Sequence, residues 1–372
     1  MSKRIRYLMV GGFLGAGKTT AIARLARYYM EQGLSVGIVT NDQANDLVDT
    51  YSLRAQGFRV GEIPGACFCC NFNKLVATLS ELARDEVPDI VLAEPVGSSA
   101  DLVATVVEPL LAMHADLYEV GPLTVLLKPE HGRTILQGEG KAGFSPQAAY
   151  IFLKQIEEAD VVTINKTDKL SPAECDELLR LVQKRFPQKN VVAVSARRGD
   201  RFNELVELLE QPAPAARSHM RIDPKTCAEG NAGLSWLNCH LTAAGRNQQF
   251  GLDQLVHTIL SGLADRLNAE QAEAAHVKML GQHEQSVTIG NLVASGTEVE
   301  LSQTAQRDVP AAQLILNARV ATSPQRLESV ARESVDAAAQ PDALEVRIET
   351  LRCFRPGRPT PTHRLGPAAP CD

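Results

Sequence analysis

The sequence predicts an α/β fold: a mostly parallel sheet with flanking helices, followed by a smaller two-layer α+β domain. Three observations carry this. Six short runs between residues 5 and 195 are apolar almost throughout, as strands covered on both faces must be. Amphipathic stretches separate them, and strands alternating with helices imply a parallel sheet. After residue 233 the pattern changes to longer strands grouped around two helices, and 372 residues give room for about two domains.

In chain order the expected strands of the first domain are "IRYLMV" (5–10), "SVGIVT" (35–40), "FRVGEI" (58–63), "DIVLA" (89–93), "LTVLL" (123–127), "DVVTI" (160–164) and "VVAVS" (191–195). The first helix spans 18–32, with Ile22, Leu25, Ala26 and Tyr29 on one face and Gly33 as its stop. Ser145-Pro146 and Ser171-Pro172 each pair an N-cap residue with proline at the first helical position. Residues 1–211 form this domain. Residues 212–233 lack periodicity, are rich in breakers and read as a linker.

The second domain spans 234–354. "SWLNCHLTA" reads as a strand, and 252–267 as a helix with Leu252, Leu255, Val256, Ile259, Leu263 and Leu267 on one face. His257 falls off that stripe and is expected in solvent. "VTIGNLVAS", "TEVELS", "QLILNARVAT" and "ALEVRIETL" read as further strands, with a Ser-Pro helix at 323–338. Residues 355–372 are proline-rich and predict an extended tail.

Composition narrows the function. Apolar residues make up 44% and charged residues 22%, and 38 Lys+Arg against 44 Asp+Glu leave a net charge of −6. Nothing there points to nucleic acid or an anionic membrane. The start "MSKRIR" is basic, but the apolar stretch after it is short, glycine-rich and ends in "GKTT", so no signal peptide is expected. No apolar run approaches the ~18 residues of a membrane span. The expected setting is cytoplasmic and thiol-reducing, where clustered cysteines bind metal or catalyse more often than they form disulfides.

"GFLGAGKT" fits G-x-x-x-x-G-K-[ST] between a strand and a helix. Gly12, Gly15, Ala16 and Gly17 let the backbone turn tightly and present N–H groups to phosphates. Lys18 reaches the β/γ-phosphates, the Thr19 hydroxyl binds Mg²⁺, Thr20 follows, and the helix beginning here adds its positive end. No lysine stands at the front of the loop, at Gly12 or Phe13, which argues against the partition-ATPase variety.

"NKTD" (165–168) directly follows the strand "DVVTI". Asp168 can accept from guanine's ring N–H and exocyclic amine, which adenine does not offer there. Asn165 bonds the other edge of the base and ties loops together, the Lys166 stem covers the ring, and after the next strand Ser195 and Ala196 approach the guanine oxygen. "VLAEPVG" ends another strand with Glu94, a carboxylate for Mg²⁺ or its water, and Gly97, whose N–H can approach the γ-phosphate. "TNDQAND" ends the second strand with Asp42, another candidate for magnesium or its water.

"GACFCCNF" places Cys67, Cys69 and Cys70 within four positions, in a chain with eight cysteines. Thiolates are soft ligands that favour Zn²⁺, Cu⁺ or Co²⁺ over Mg²⁺, and three of them leave one tetrahedral position open for an ion that must be passed on. Two protomers would bring six thiolates together, so a dinuclear or intersubunit site stays open. Asp46 and Glu62 are candidate hard supplements. Packed free cysteines and a closed structural zinc site are the plainer readings. Cys239 and His240 adjoin in a strand and point to opposite faces, so they cannot chelate together. Cys227, Cys353, His363 and Cys371 are scattered near linkers or the tail.

In order and spacing, "GFLGAGKTT", the Cys-x-Cys-Cys, Glu94-x-x-Gly97 and "NKTD" resemble the CobW/HypB/UreG family of P-loop GTPases, and within it the CobW-like branch. The resemblance covers about residues 5–211. It implies a P-loop NTPase core of SIMIBI type, GTP and Mg²⁺ as nucleotide and cofactor, and a GTP-driven metal insertase or metallochaperone carrying Zn²⁺ or Co²⁺. It also implies a client metalloenzyme or cofactor-assembly protein as partner, with a homodimer open. Ala66 stands where the family commonly has glycine, there is no histidine-rich stretch, and the second domain departs from the family's usual one. An alternative within the family is a metal-independent GTPase switch that assembles or reactivates a partner such as a corrinoid enzyme. An ATP-dependent kinase is a third reading, which GTP preference would exclude. No arginine finger is evident, so intrinsic turnover is expected to be slow.

Overall fold

The computed structural model describes residues 4–42, 48–65, 67–137, 145–214, 217, 220–292, 295–339 and 343–366. Asp46, Ala66 and Cys371 lie outside them. The chain divides into two compact units: Met1–Gln43 with Gly57–Gly230 and Arg358–Asp372, and Ala44–Gln56 with Asn231–Gly357. The unit boundaries therefore differ from those expected at three places. A segment inside the first domain, 44–56, groups with the second unit, the expected linker groups with the first as far as Gly230, and so does the tail from Arg358.

The first unit contains strands β1 (Ile5–Gly12), β2 (Val36–Asp42), β3 (Arg59–Pro64), β4 (Ile90–Glu94), β5 (Tyr118–Val120), β6 (Thr124–Leu127), β7 (Val161–Ile164) and β8 (Asn190–Ala193). The sheet order is β3-β2-β4-β1-β6-β7-β8, with β5 also pairing β1. Every pairing is parallel. β4, β6 and β7 are buried at every position, which is why their sequences read as unbroken apolar runs. Helices α1 (Lys18–Glu31), α2 (Val48–Ala55), α3 (Phe72–Leu82), α4 (Glu108–His114), α5 (Pro129–Gln137), α6 (Pro146–Glu158), α7 (Pro172–Arg185), α8 (Phe202–Glu210) and α9 (Pro224–Ala232) follow in chain order. All but α2 belong to the first unit or run to its end.

Ile22, Leu25, Ala26 and Tyr29 of α1 are buried, as their spacing predicts. Gly33 adopts φ +79 and ends the helix: its N–H bonds Met30 O and that of Leu34 bonds Tyr29 O, a Schellman pair. Ser145 and Ser171 cap α6 and α7, each with proline at the start of the helix, and α7 has a full capping box with Glu174. The expected linker holds a helix, α9. Asp223 accepts from the N–H groups of Lys225 and Thr226, so Asp223-Pro224 repeats the cap-and-proline device of the other helices in a stretch whose breakers masked it.

The second unit adds β9 (Ser235–Gly245), β10 (Phe250–Gly251), α10 (Leu252–Ala269), β11 (Glu273–His283), β12 (Ser286–Leu292), β13 (Glu300–Gln303), β14 (Asp308–Val309), β15 (Ala311–Ala321), α11 (Pro324–Ala338) and β16 (Leu344–Phe354). Its six-stranded sheet runs β13-β12-β11-β15-β9-β16, all antiparallel. α10 and α11 pack one apolar core against it, including Leu255, Ile259, Val277, Leu316 and Val330. On the sheet, Val48 and Tyr51 of α2 pack with Leu280, Val287, Ile289 and Ile315. Asn317 Oδ1 accepts the Val48 N–H at 3.2 Å, and Lys278 pairs with Asp49 at 2.5 Å. The expected two layers are present, with α2 as an added piece. β11 carried no strand signal because its alanine-rich start has low strand propensity. Pairing with β12 and β15 on both sides makes it a strand. His257 is exposed as expected. Among the described residues no helix is long and apolar enough to cross a membrane.

Candidate functional site

In a parallel sheet all strands end at one edge, and ligands bind in the crevice there, beside the point where strand order reverses. β1 occupies that point, with β4 on one side and β6 on the other. The loops after β1, β2, β3, β4, β7 and β8 therefore gather the predicted motifs at the same edge.

The phosphate loop follows β1. Gly12 takes φ +134, and an added Cβ would stand 2.3 Å from Leu126 O. Gly17 takes φ +89, and its Cβ would meet Asn165 Nδ2 at 2.5 Å. Gly15 also has positive φ, at +73. α1 starts directly after Gly17, so the N–H groups of its first turn face the loop's interior. Lys18 is buried, and its Nζ lies 4.0 Å from Glu94 Oε1. Thr19 Oγ1 donates to the same oxygen at 3.1 Å. A Cβ on Gly97 would come 3.1 Å from Lys18 Nζ, so Lys18, Thr19, Glu94 and Gly97 converge. The Gly97 carbonyl accepts from Gln155 Nε2 at 3.1 Å, which also donates to Ser99 O at 2.7 Å, so α6 holds the loop after β4 from behind. Asp42 ends β2.

The second group lies after β7 and β8. Asn165 Nδ2 donates to Ala16 O at 2.8 Å, and its Oδ1 accepts the Ala196 N–H at 3.0 Å. One buried amide thus ties the phosphate loop to the loop after β8. Lys166 sits in the left-handed region at φ +64. Ser195 Oγ donates to Asp168 Oδ1 at 2.6 Å and accepts the Arg198 N–H at 3.0 Å, which fixes the carboxylate's orientation. Sequence reasoning missed Arg24, which reaches from α1 to Ala196 O at 2.6 Å and Arg197 O at 2.8 Å. It also missed Lys128 and His131, both buried just after β6. His131 packs edge-on to Phe13 with centroids 5.7 Å apart. Burial, then the Lys128 and Lys166 charges, keep its imidazole neutral by pushing its pKa down.

The third group follows β3. Cys67, Cys69 and Cys70 are free and their sulfurs lie within 4.8 Å of one another. The pairs stand at 2.6 Å (67–69), 3.1 Å (67–70) and 3.8 Å (69–70). A tetrahedral ion with bonds of about 2.3 Å separates ligand sulfurs by about 3.8 Å. Cys69 and Cys70 already meet that spacing, and the other two pairs must open. Cys67 and Cys69 are 5% exposed, while Cys70 is half-buried. Hydrogen bonds from Cys67, then Cys69, hold Cys70 far below the ordinary thiol range, with the Thr360 N–H assisting against burial. Cys69 is pushed up by its bonds to Cys67 and Cys70 and then by burial. Cys67 is lowered by Cys69, but its bond to Cys70 and burial outweigh this and raise it.

Among the described residues these three cysteines form the one such cluster, and Glu62 lies outside it. Cys239 is buried within the core of the second unit and His240 belongs to neither it nor the cluster. β3 is three strands from β1, so the cysteine loop stands roughly 14 Å from the phosphate loop along the sheet edge. Asn41, the residue before Asp42, lies between them: its Nδ2 donates to Ile63 O and its Oδ1 accepts the Phe68 N–H, both at 2.8 Å.

Known proteins resemble this chain as follows. The family described as "CobW/HypB/UreG, nucleotide-binding domain" matches residues 6–193, half of the chain. The zinc chaperone YeiR of Escherichia coli K12 is 28% identical over 232 residues, covering 59% of this chain and 65% of YeiR, so the chain matches just under two thirds of that relative. Among solved structures, Zn(II)-bound YjiA GTPase from Escherichia coli shares 14% identity at a TM-score of 0.36, covering 91% of this chain and 99% of YjiA. HypB from Helicobacter pylori in complex with nickel shares 19% at a TM-score of 0.40, covering 59% of this chain and 93% of HypB.

Proposed function

Because the chain belongs to the CobW/HypB/UreG family, we propose that it is a GTP-hydrolysing metallochaperone that carries Zn²⁺ or Co²⁺ on Cys67, Cys69 and Cys70 and delivers it to a client metalloenzyme or cofactor-assembly protein. The observation that carries this reading is the three-thiol cluster on a loop at the same sheet edge as the phosphate loop. The name of the relative YeiR favours zinc as cargo.

The residues divide the work as follows. The N–H groups of Gly15 to Thr20 and the start of α1 cradle the phosphates, and Lys18 offsets charge on the β- and γ-groups. Thr19 and Glu94 would hold Mg²⁺, which would supply positive charge against the phosphates. Asp42 would be the second carboxylate for the ion or its water, and the Gly97 N–H meets the γ-phosphate. Asp168, oriented by Ser195, accepts from guanine's N–H groups. The Ala196 N–H, expected to meet the guanine oxygen, already donates to Asn165 Oδ1, so it reaches the base only by sharing that bond, and the Lys166 stem covers the ring. Asn165 keeps base and phosphate subsites in register through Ala16 and Ala196. Hydrolysis then needs positioning and charge stabilisation more than acid–base chemistry, so turnover is slow without a partner or second protomer.

If nucleotide state alters metal affinity, metal alters nucleotide affinity by the same factor. The deciding experiment replaces all three cysteines by serine. The proposal expects loss of Zn²⁺ and Co²⁺ binding with GTP binding retained. Unchanged metal content with unchanged activation of a partner would instead establish the metal-independent switch.

A further inference from the structure

The proline-rich tail is not free. Residues 360–362 lie along the cysteine loop, and 363–365 run on past Phe72 to the stretch after β4. The Thr360 N–H donates to Cys70 Sγ at 3.2 Å. The Thr362 N–H donates to Cys69 O at 2.8 Å, and its hydroxyl donates to Cys70 O at 2.9 Å. His363 packs edge-on to Phe72, with ring centroids 5.2 Å apart. The Arg364 Nε donates to Asp101 Oδ2 at 2.8 Å, and the Leu365 N–H to Ala104 O at 2.9 Å.

The sequence suits this course. Pro359 and Pro361 have no N–H to satisfy, so the donors of this stretch are those of Thr360 and Thr362, and both point at the cysteine loop. Alternating prolines also stiffen the segment before it docks, which lowers the entropy lost on ordering. The sulfur it meets is Cys70, the most exposed of the three. The far anchor, Asp101, stands four residues beyond Gly97, in the stretch after β4 that runs on from Glu94.

Resting on the metallochaperone reading, we propose that residues 358–365 are a retention strap: they close the three-thiol site over Cys70, and the Arg364–Asp101 ion pair is the catch that keeps them closed. The Thr360 N–H withdraws electron density from the Cys70 sulfur and blocks approach of a competing ligand. Opening the catch uncovers the one ligand best placed to exchange. Partners of this kind around a metal ligand commonly change affinity by about 10- to 100-fold.

The test uses four chains: full length, one ending at Gly366, one ending at Gly357, and full-length Arg364→Ala. Each is loaded with Co²⁺, whose thiolate charge-transfer bands report the site, and mixed with EDTA. In parallel, Cys70 of each metal-free chain is alkylated with iodoacetamide, and GTP binding checks folding. Co²⁺ should leave the Gly357-terminated chain and Arg364→Ala at least ~10 times faster than full length. Their Cys70 should also alkylate faster. The chain ending at Gly366 should match full length in both. Equal rates in the Gly357-terminated chain overturn the strap. So does fast exchange in the Gly366-terminated chain, because the effect would then belong to the last six residues. Absence of the thiolate bands from full length overturns the metal reading itself, which separates that failure from the strap's.

Discussion

Asn41 holds the backbone of Phe68, the residue between Cys67 and Cys69, through a 2.8 Å hydrogen bond from the Phe68 N–H to its side-chain oxygen. Its amide nitrogen bonds Ile63 O at the end of β3. The residue beside Asp42 therefore shapes the thiol loop from the neighbouring strand, one strand spacing away. Asn41→Ala should leave the Phe68 N–H without its acceptor, at a cost of about 1–3 kcal/mol. Co²⁺ affinity, followed by the thiolate bands, should fall about 10-fold or more. An unchanged affinity would mean that the loop keeps its shape without this residue.

With guanine seated as proposed, Asp168→Asn exchanges an acceptor for a donor opposite the base's N–H groups. GTP affinity should drop by about 100-fold or more, as for sites whose buried polar groups lose their partners. Xanthosine triphosphate, which carries a carbonyl in place of the exocyclic amine, should bind the variant better than the native chain. Competition of both nucleotides against a fluorescent GDP measures this. Retained GTP preference would remove Asp168 from base selection.

Gly17→Ala combines two penalties. The position has φ +89, which costs an L side chain about 1–2 kcal/mol. The new Cβ also stands 2.5 Å from Asn165 Nδ2, which cannot retreat without losing Ala16 or Ala196. Phosphate and base subsites should fail together, with GTP and GDP affinity both down at least about 100-fold by calorimetry. Loss of GTP binding alone would show that the two subsites are not joined through Asn165.

Glu158, at the end of α6, is fully buried, and its carboxyl is pushed from an ordinary value of 4.5 up to about 8, burial being the main cause and the Val103 N–H opposing it. Between those values the folded chain keeps a proton that the unfolded chain has released. Stability therefore falls as pH rises through that window, by up to about 1.4 kcal/mol per unit, and the fall is complete above the folded value. Glu158→Gln should flatten this slope. Urea midpoints at pH 6 and pH 8 give the measurement, and an undiminished slope would assign the pH dependence to other groups.

Much of the site was legible because its motifs are local. A phosphate loop needs glycines at fixed offsets, and Gly12 and Gly17 show why: backbone or a buried amide fills the place of each missing side chain. Ser145, Ser171 and Ser323 marked helix starts by the same local logic. Asp223-Pro224 carried that signal too, inside a stretch whose prolines and glycines concealed it. Arg24, Asn41 and the tail were not legible. Their partners lie tens to hundreds of positions away, at Ala196, Phe68 and Cys70, and only the folded chain brings each pair together.

Local chemistry alone thus determined the parallel α/β core, the phosphate and base motifs, and the crowding of three thiols, because each depends on residue type and short spacing. Tertiary structure decided which sulfur is covered and which is buried, that α2 packs on the second unit's sheet, and that a polar-looking tail lies against the thiols. Those outcomes depend on hydrogen bonds and apolar contacts between distant segments, whose geometry no local pattern encodes.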